Sequence, residues 1–346
     1  MIGQSLSLNR DQRQGLIGAA LLSLLILAIV GVYYLFGESY QARILYATFV
    51  NLLVVIGLQI FSGNANTIGF SHAAFMGIAA YAAAICVTPA AMKVISLPDA
   101  PWGLNAFELS PLVSALIALA IVGVLGYLTG SVVVRLSGVG VTIISIAILV
   151  IVHSIFLHRT DIFKGNQAFF GIPKIFDLPH ITGLVIFGIF IARLFRESAI
   201  GLQLRASADD EAGARALGVD IRRVRLIAWV LGTLFFATAG IAYAFFLGTI
   251  SARPFYFNFV FLTVAMLILG GLRSVTGAVF GTLLISIGLE VVRWLETGPT
   301  LIGIKLPQML GLSGLLLGVV IVAVMALLPK GIMGNREIEQ LWRFKS

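Results

Sequence analysis

The residue types that carry covalent or metal chemistry are scarce and scattered here. One cysteine, Cys86, excludes an internal disulfide and a cysteine-based metal site. His72, His153, His158 and His180 lie far apart, without metal-ligand spacing. No G-x-x-x-x-G-K-S/T phosphate loop occurs, and the glycine-rich pieces "GVLGYLTGS" from Gly123 and "LSGVG" from Leu136 lack the lysine. On a helix Asp209, Asp210 and Glu211 point in different directions, and complementing the helix dipole explains them better than a metal. Two polar clusters remain, suited to hydrogen bonding and docking rather than to making bonds. One opens the stretch "SGNANTIGFSHAAFMGIAAYAAA" (Ser62 to Ala84); the other is "RESAIGLQLRASADDEAGARALGVDIRRVR" (Arg196 to Arg225).

The elements that position them belong to a membrane. Of 346 residues 59% are hydrophobic and 11% charged, with mean hydropathy +1.04; a soluble domain carries about 25% charged residues. Ten apolar segments approach the roughly 20 residues that span a bilayer as a helix: 16–36, 43–62, 72–92, 111–134, 139–158, 179–195, 225–248, 258–272, 276–295 and 309–328. Glycines and polar residues interrupt the third, eighth and ninth, which reads as broken or re-entrant helix. The expectation is an all-α polytopic protein of about ten spans, one membrane domain over residues 1–346. The first segment is longer than a signal-peptide core and reads as a retained helix. With the N-terminus inside, 15 of the 23 Lys and Arg fall in inside loops and tails, so both termini are expected in the cytoplasm. The net charge of +8 then reflects those loops rather than nucleic acid.

The second cluster is the long inside loop, residues 196–224. Ser207 and Asp210 have the S-x-x-D form of a capping box, predicting a helix that starts at Ser207. Ala212, Ala214, Ala216 and Leu217 are helix formers, Gly218 suits a left-handed stop, and Asp220 suits the cap of the next helix. So short a helix is marginal alone in water, so it is expected to dock on a partner through Ala212, Ala216 and Leu217. In the first cluster Ser71 suits an N-cap for a helix starting at His72, while Asn64, Asn66 and Thr67 suit bonding to freed backbone groups. The segment reads either as the inner end of a path or as a simple inside turn. Asn51 and Gln59 suit either lining a path or bonding between helices. Glu290 suits an interfacial pair with Arg293. Small residues four apart, Ala73/Gly77, Ala80/Ala84, Gly277/Gly281 and Gly314/Gly318, suit close helix approach.

"DDEAGARALGVD" followed by "WVLGTLFFATAGIAYAFF", the block from Ser62, and "LILGGLRSVTGAVFGTLL" from Leu267 together resemble permease subunits of ABC importers for branched-chain amino acids. The longer N-terminus and the loop ending "FFGIP" resemble the M-type subunit. The loop departs from the family in Ser207 and Ala208, where Ile-Arg is common, and in one extra residue between Glu211 and Gly218. The resemblance implies a coupling helix in which Asp210, Glu211, Ala212, Ala216, Leu217 and Gly218 match the motif. Read from the residues themselves, Asn51, Gln59, Asn64, Asn66, Thr67, Ser71 and His72 are the candidates for a path, if the segment is its inner end rather than a simple turn. Implied partners are cytoplasmic ABC ATPase subunits that use ATP, a second homologous permease and a periplasmic binding protein. The implied location is a bacterial inner membrane, with no cofactor bound by this chain and no catalytic or metal residue. Urea, short amides and other amino acids use close relatives, so substrate stays open. An ion-coupled carrier usually has carboxylates at mid-membrane, and none is evident in the sequence.

Overall fold

The computed structural model describes residues 10–342 except 99, 137, 299, 302–303, 306–310 and 328–329. The chain is helical throughout: α1 (Arg10–Phe36), α2 (Ser39–Leu58), α3 (His72–Val87), α4 (Ala90–Ser96), α5 (Pro111–Val133), α6 (Val139–His158), α7 (Thr160–Phe163), α8 (Leu178–Arg196), α9 (Ala199–Asp209), α10 (Glu211–Ala216), α11 (Ile221–Leu247), α12 (Phe257–Gly270), α13 (Val275–Glu296), α14 (Leu312–Leu327) and α15 (Ile338–Trp342). Two-residue strands β1 (Phe169–Phe170) and β2 (Thr249–Ile250) pair antiparallel, Phe169 opposite Ile250; β3 (Thr300–Leu301) pairs β4 (Ile304–Lys305).

Local signals set the helix ends. Pro111 and Pro179 fall in the first turns of α5 and α8, where a missing N–H costs nothing. Ser274 Oγ accepts from Gly277 N at 2.9 Å to open α13. Thr88 is extended before Pro89 and ends α3.

Seven helices among the described residues are long and apolar enough to cross a membrane: α1, α2 with its final turn, α5, α6, α8, α11 and α13. In α5 and α6 only 22% of the apolar stretch is buried against protein, so the rest needs lipid. The third and eighth expected spans are shorter, at 16 and 14 residues. The ninth is an unbroken helix of 22 residues, so its expected interruption is absent; its glycines serve packing instead. Residues 309–310 and 328 of the tenth expected span lie outside the described residues.

The 27-residue α11 runs through the centre against α2, α3 and α5, while α12 pairs with α13 and α1 with α8. A Cβ on Gly240 of α11 would come 2.1 Å from Met76 O of α3, and one on Gly281 of α13 the same distance from Met266 O of α12. Absent side chains thus let these backbones touch. Gly77 lies under the Phe156 and Phe255 rings, but among the described residues Gly314 and Gly318 of α14 have nothing within 4 Å, against the expectation of close approach there.

Candidate functional site: a loop-helix pair above a buried polar hinge

The long loop forms two helices, not one starting at Ser207. Ser198 Oγ accepts from Gly201 N at 3.2 Å and opens α9 early, so Ser207 lies inside α9, buried, donating to Leu204 O at 2.7 Å. Asp210 breaks the run with φ −146° and ψ 103°, and its Oδ1 accepts from Ala212 N and Gly213 N, both at 3.0 Å. A carboxylate serving two free N–H groups at a helix start outcompetes the serine. Glu211 pairs with Arg215 at 2.5 Å and with Arg225 of α11 at 3.2 Å, clamping α10 to α11. Ala214 turns inward, while Ala212, Ala216, Leu217 and Gly218 face out, Leu217 with 85% exposure. Gly218 has φ +82°, the left-handed stop that its type suggests, and Asp220 Oδ1 accepts from Arg223 N at 3.2 Å to open α11.

The first cluster is no simple turn in water. Gln59–Gly63 winds as a π-helical turn at the end of α2. Ser62, Asn64, Ser71 and His72 are buried, and a Cβ on Gly63 would meet Leu272 O at 2.3 Å. Several freed backbone groups find side chains, as irregular backbone inside a bundle requires. Asn64 Nδ2 donates to Gln59 O (3.2 Å) and Ile60 O (3.0 Å); Ser62 Oγ accepts from Gly69 N (3.2 Å). From α6, Thr142 Oγ1 donates to Ile68 O (3.0 Å) and Ser145 Oγ accepts from Phe70 N (2.9 Å). Thr67 Oγ1 reaches Ala65 O, and Asn66 is exposed with φ 51°. Ser71 holds the N-cap place of α3, but in helical backbone geometry and without a side-chain cap bond, contrary to its expected role. His72 Nε2 meets Thr263 Oγ1 of α12 at 2.7 Å. Asn51, half-buried two turns up α2, stays apart from this group. Gln59 is fully buried and neither amide atom has a partner among the described residues, a costly state for an amide. A cavity of about 10 Å³ lies between Ser62, Ser71, His72, Trp229 and Phe236, room for about one water.

Beside the hinge lies an ion-paired ring at the same end of the bundle. Arg193 of α8 is unexposed and pairs with unexposed Glu337 at 2.9 Å and with Glu339. Arg196 Nε lies 3.2 Å from the same Glu337. Glu337 also accepts from Val275 N (2.9 Å), Thr276 N (3.0 Å) and Thr276 Oγ1 (2.5 Å), seating the carboxylate on the N-terminus of α13. Arg273 Nη2 donates to Asp209 Oδ1 at 2.7 Å. Arg205 of α9 donates to Arg196 O at 2.6 Å and to Asn64 Oδ1 at 3.5 Å, so the loop-helix pair reaches the hinge through one side chain. Burial, then the Arg196 charge, pushes the Arg205 guanidinium below its usual range.

A bundle of lipid-facing helices enclosing a buried polar break, with an outward helix pair wired to that break, defines a polytopic helical membrane protein. The chain belongs to the family described as the branched-chain amino acid transport system permease component, whose model matches residues 40–325. It is 22% identical over 280 residues to the high-affinity branched-chain amino acid transport system permease protein LivM of Escherichia coli, covering 71% of this chain and 62% of that protein. The Salmonella typhimurium LivM matches to the same extent, so the chain spans under two thirds of these relatives. A probable branched-chain amino acid transport permease protein LivM of Methanocaldococcus jannaschii is 24% identical over 246 residues, 64% of this chain and 69% of its own. No solved structure matches.

Proposed function

We propose that this chain is a permease subunit of an ABC importer for branched-chain amino acids in a bacterial inner membrane. Separate ATPases dock on α10, a second homologous permease completes the path, and a periplasmic binding protein delivers substrate. The observation that carries this reading is the exposed face Ala212, Ala216, Leu217 and Gly218, held by Asp210 and Glu211 and joined through Arg205 to Asn64 in the hinge. With the hinge closed to about one water, transport requires Gln59–His72 to rearrange. A push on α9 and α10 has a direct mechanical route to it. Gln59, its amide unspent, and His72 are the side chains placed to meet a solute once the hinge opens.

The test is uptake of labelled L-leucine into proteoliposomes holding the whole importer, with ATP supplied or withheld while the ion gradients are clamped. ATP-dependent uptake supports the reading. Uptake that follows a proton or sodium gradient without ATP overturns it.

A further inference from the structure

The end of the bundle opposite α10 carries a second polar site. Arg225 at the start of α11 donates to Leu136 O just before α6, so both helices begin at the α10 end. Their far ends are joined by the pairing of β1 with β2. There a cavity of about 710 Å³ opens between α6, the β1 loop and the start of α12, within the range of small-molecule sites. His153, stacked on Tyr256 at 4.0 Å, contributes to its wall. Asn166, Ser251, Arg253 and Asn258 line it, and none of their side chains has a hydrogen bond among the described residues.

Arg253 is the informative member. Two arginines at this end have carboxylates: Arg159 has Asp161 at 2.8 Å and Arg293 has Glu290 at 3.5 Å. Arg43, near the start of α2, has none among the described residues but lies outside this cavity's lining. Arg253 has none among the described residues, and it also lines the adjoining cavity of about 690 Å³ shared with Asn258. A guanidinium with five free donors is built for a planar carboxylate. The first turn of α12 adds free N–H groups and the positive end of its dipole. Five residues further along α12, Thr263 holds His72, about 7.5 Å along the axis.

We propose that Arg253, with Asn166 and Asn258, forms the permease's entry site for a solute bearing a carboxylate, binding the α-carboxylate of an amino acid as it leaves the binding protein. This rests on the transport reading above and deepens it. Urea and short amides carry no charge for Arg253 to meet.

The experiment uses the complete importer in proteoliposomes with ATP, comparing L-leucine and urea uptake by the wild type, Arg253→Gln and Arg253→Lys. Binding-protein affinity for each complex is measured in parallel. The site predicts leucine uptake by the wild type, a fall of about 10- to 100-fold in Arg253→Gln at unchanged binding-protein affinity, and substantial recovery in Arg253→Lys. Unchanged uptake in Arg253→Gln overturns the site. So does a fall that tracks lost binding-protein affinity, which makes Arg253 a docking contact. Wild-type uptake of urea but not leucine overturns the carboxylate assignment and the branched-chain substrate, and leaves only the ABC permease reading standing. Uptake of neither overturns both.

Discussion

Arg193 and Glu337 lie 2.9 Å apart with neither side chain exposed, 144 positions from each other in the chain. The pair pins the segment after α14 beneath the end of α8 and the start of α13. It stands beside the loop helices, so the tail is part of the same face that α10 presents.

Removing one partner of such a pair leaves a charge buried alone. Glu337→Gln keeps an acceptor for only one of Val275 N and Thr276 N, which bond separate carboxylate oxygens, and it strips the charge from Arg193 and Arg196. The expected loss is about 3–5 kcal/mol, read as a drop in thermal stability of the detergent-solubilised complex. A Glu337→Gln protein as stable as wild type contradicts this role.

Gly240 and Gly314 give opposite expectations for one substitution. Gly240→Ala drives a methyl against Met76 O and separates α11 from α3, costing about 1–3 kcal/mol. Gly314→Ala meets nothing among the described residues and stays within about 0.5 kcal/mol of wild type. The same melting measurement checks both.

Asp210→Ala removes the acceptor of two N–H groups and should loosen α10 by about 0.5–2 kcal/mol. Amide exchange at Ala212 to Ala216 should quicken while α9 keeps its protection. Asp210→Asn should restore most of it. Equal exchange in wild type and Asp210→Ala would remove the cap from the account.

Arg205→Met cuts the bonds to Arg196 O and Asn64 while leaving the exposed face of α10 in place. ATP hydrolysis should persist while leucine uptake falls about tenfold, a coupling free energy of about 1.4 kcal/mol. Proportional loss of both activities would make Arg205 structural only.

Much of this was legible in the sequence. Apolar runs located the long helices, because lipid demands a continuous stretch of about 20 apolar residues. Gly218 and Asp220 announced their backbone roles, since few residue types suit them. Ser207 misled because a capping pattern is local: Ser198 opens α9 upstream of it, and Asp210 caps the next helix on Ala212 N and Gly213 N. Ser71 misled because its backbone turns helical one residue early. Glu337 went unseen because its partners come from α8 and α13, far off in sequence. The one signal was Arg193 and Arg196, two arginines one turn apart at the end of an apolar helix, which need carboxylates from somewhere. Gln59 was marked as polar within a span, but only the π-turn shows that its amide is left unspent.

The central claim is that the outward face of α10 receives the ATPase stroke. Leu217 is its most direct probe, because it is 85% exposed and its replacement leaves the bundle's packing intact. The measurement is L-leucine uptake and ATPase recovery in purified complexes of Leu217→Asp beside wild type, at matched membrane levels. The account predicts normal folding, lost or weakened ATPase association and at least a tenfold fall in uptake, about 1.4 kcal/mol or more. Wild-type uptake with wild-type ATPase recovery would contradict it.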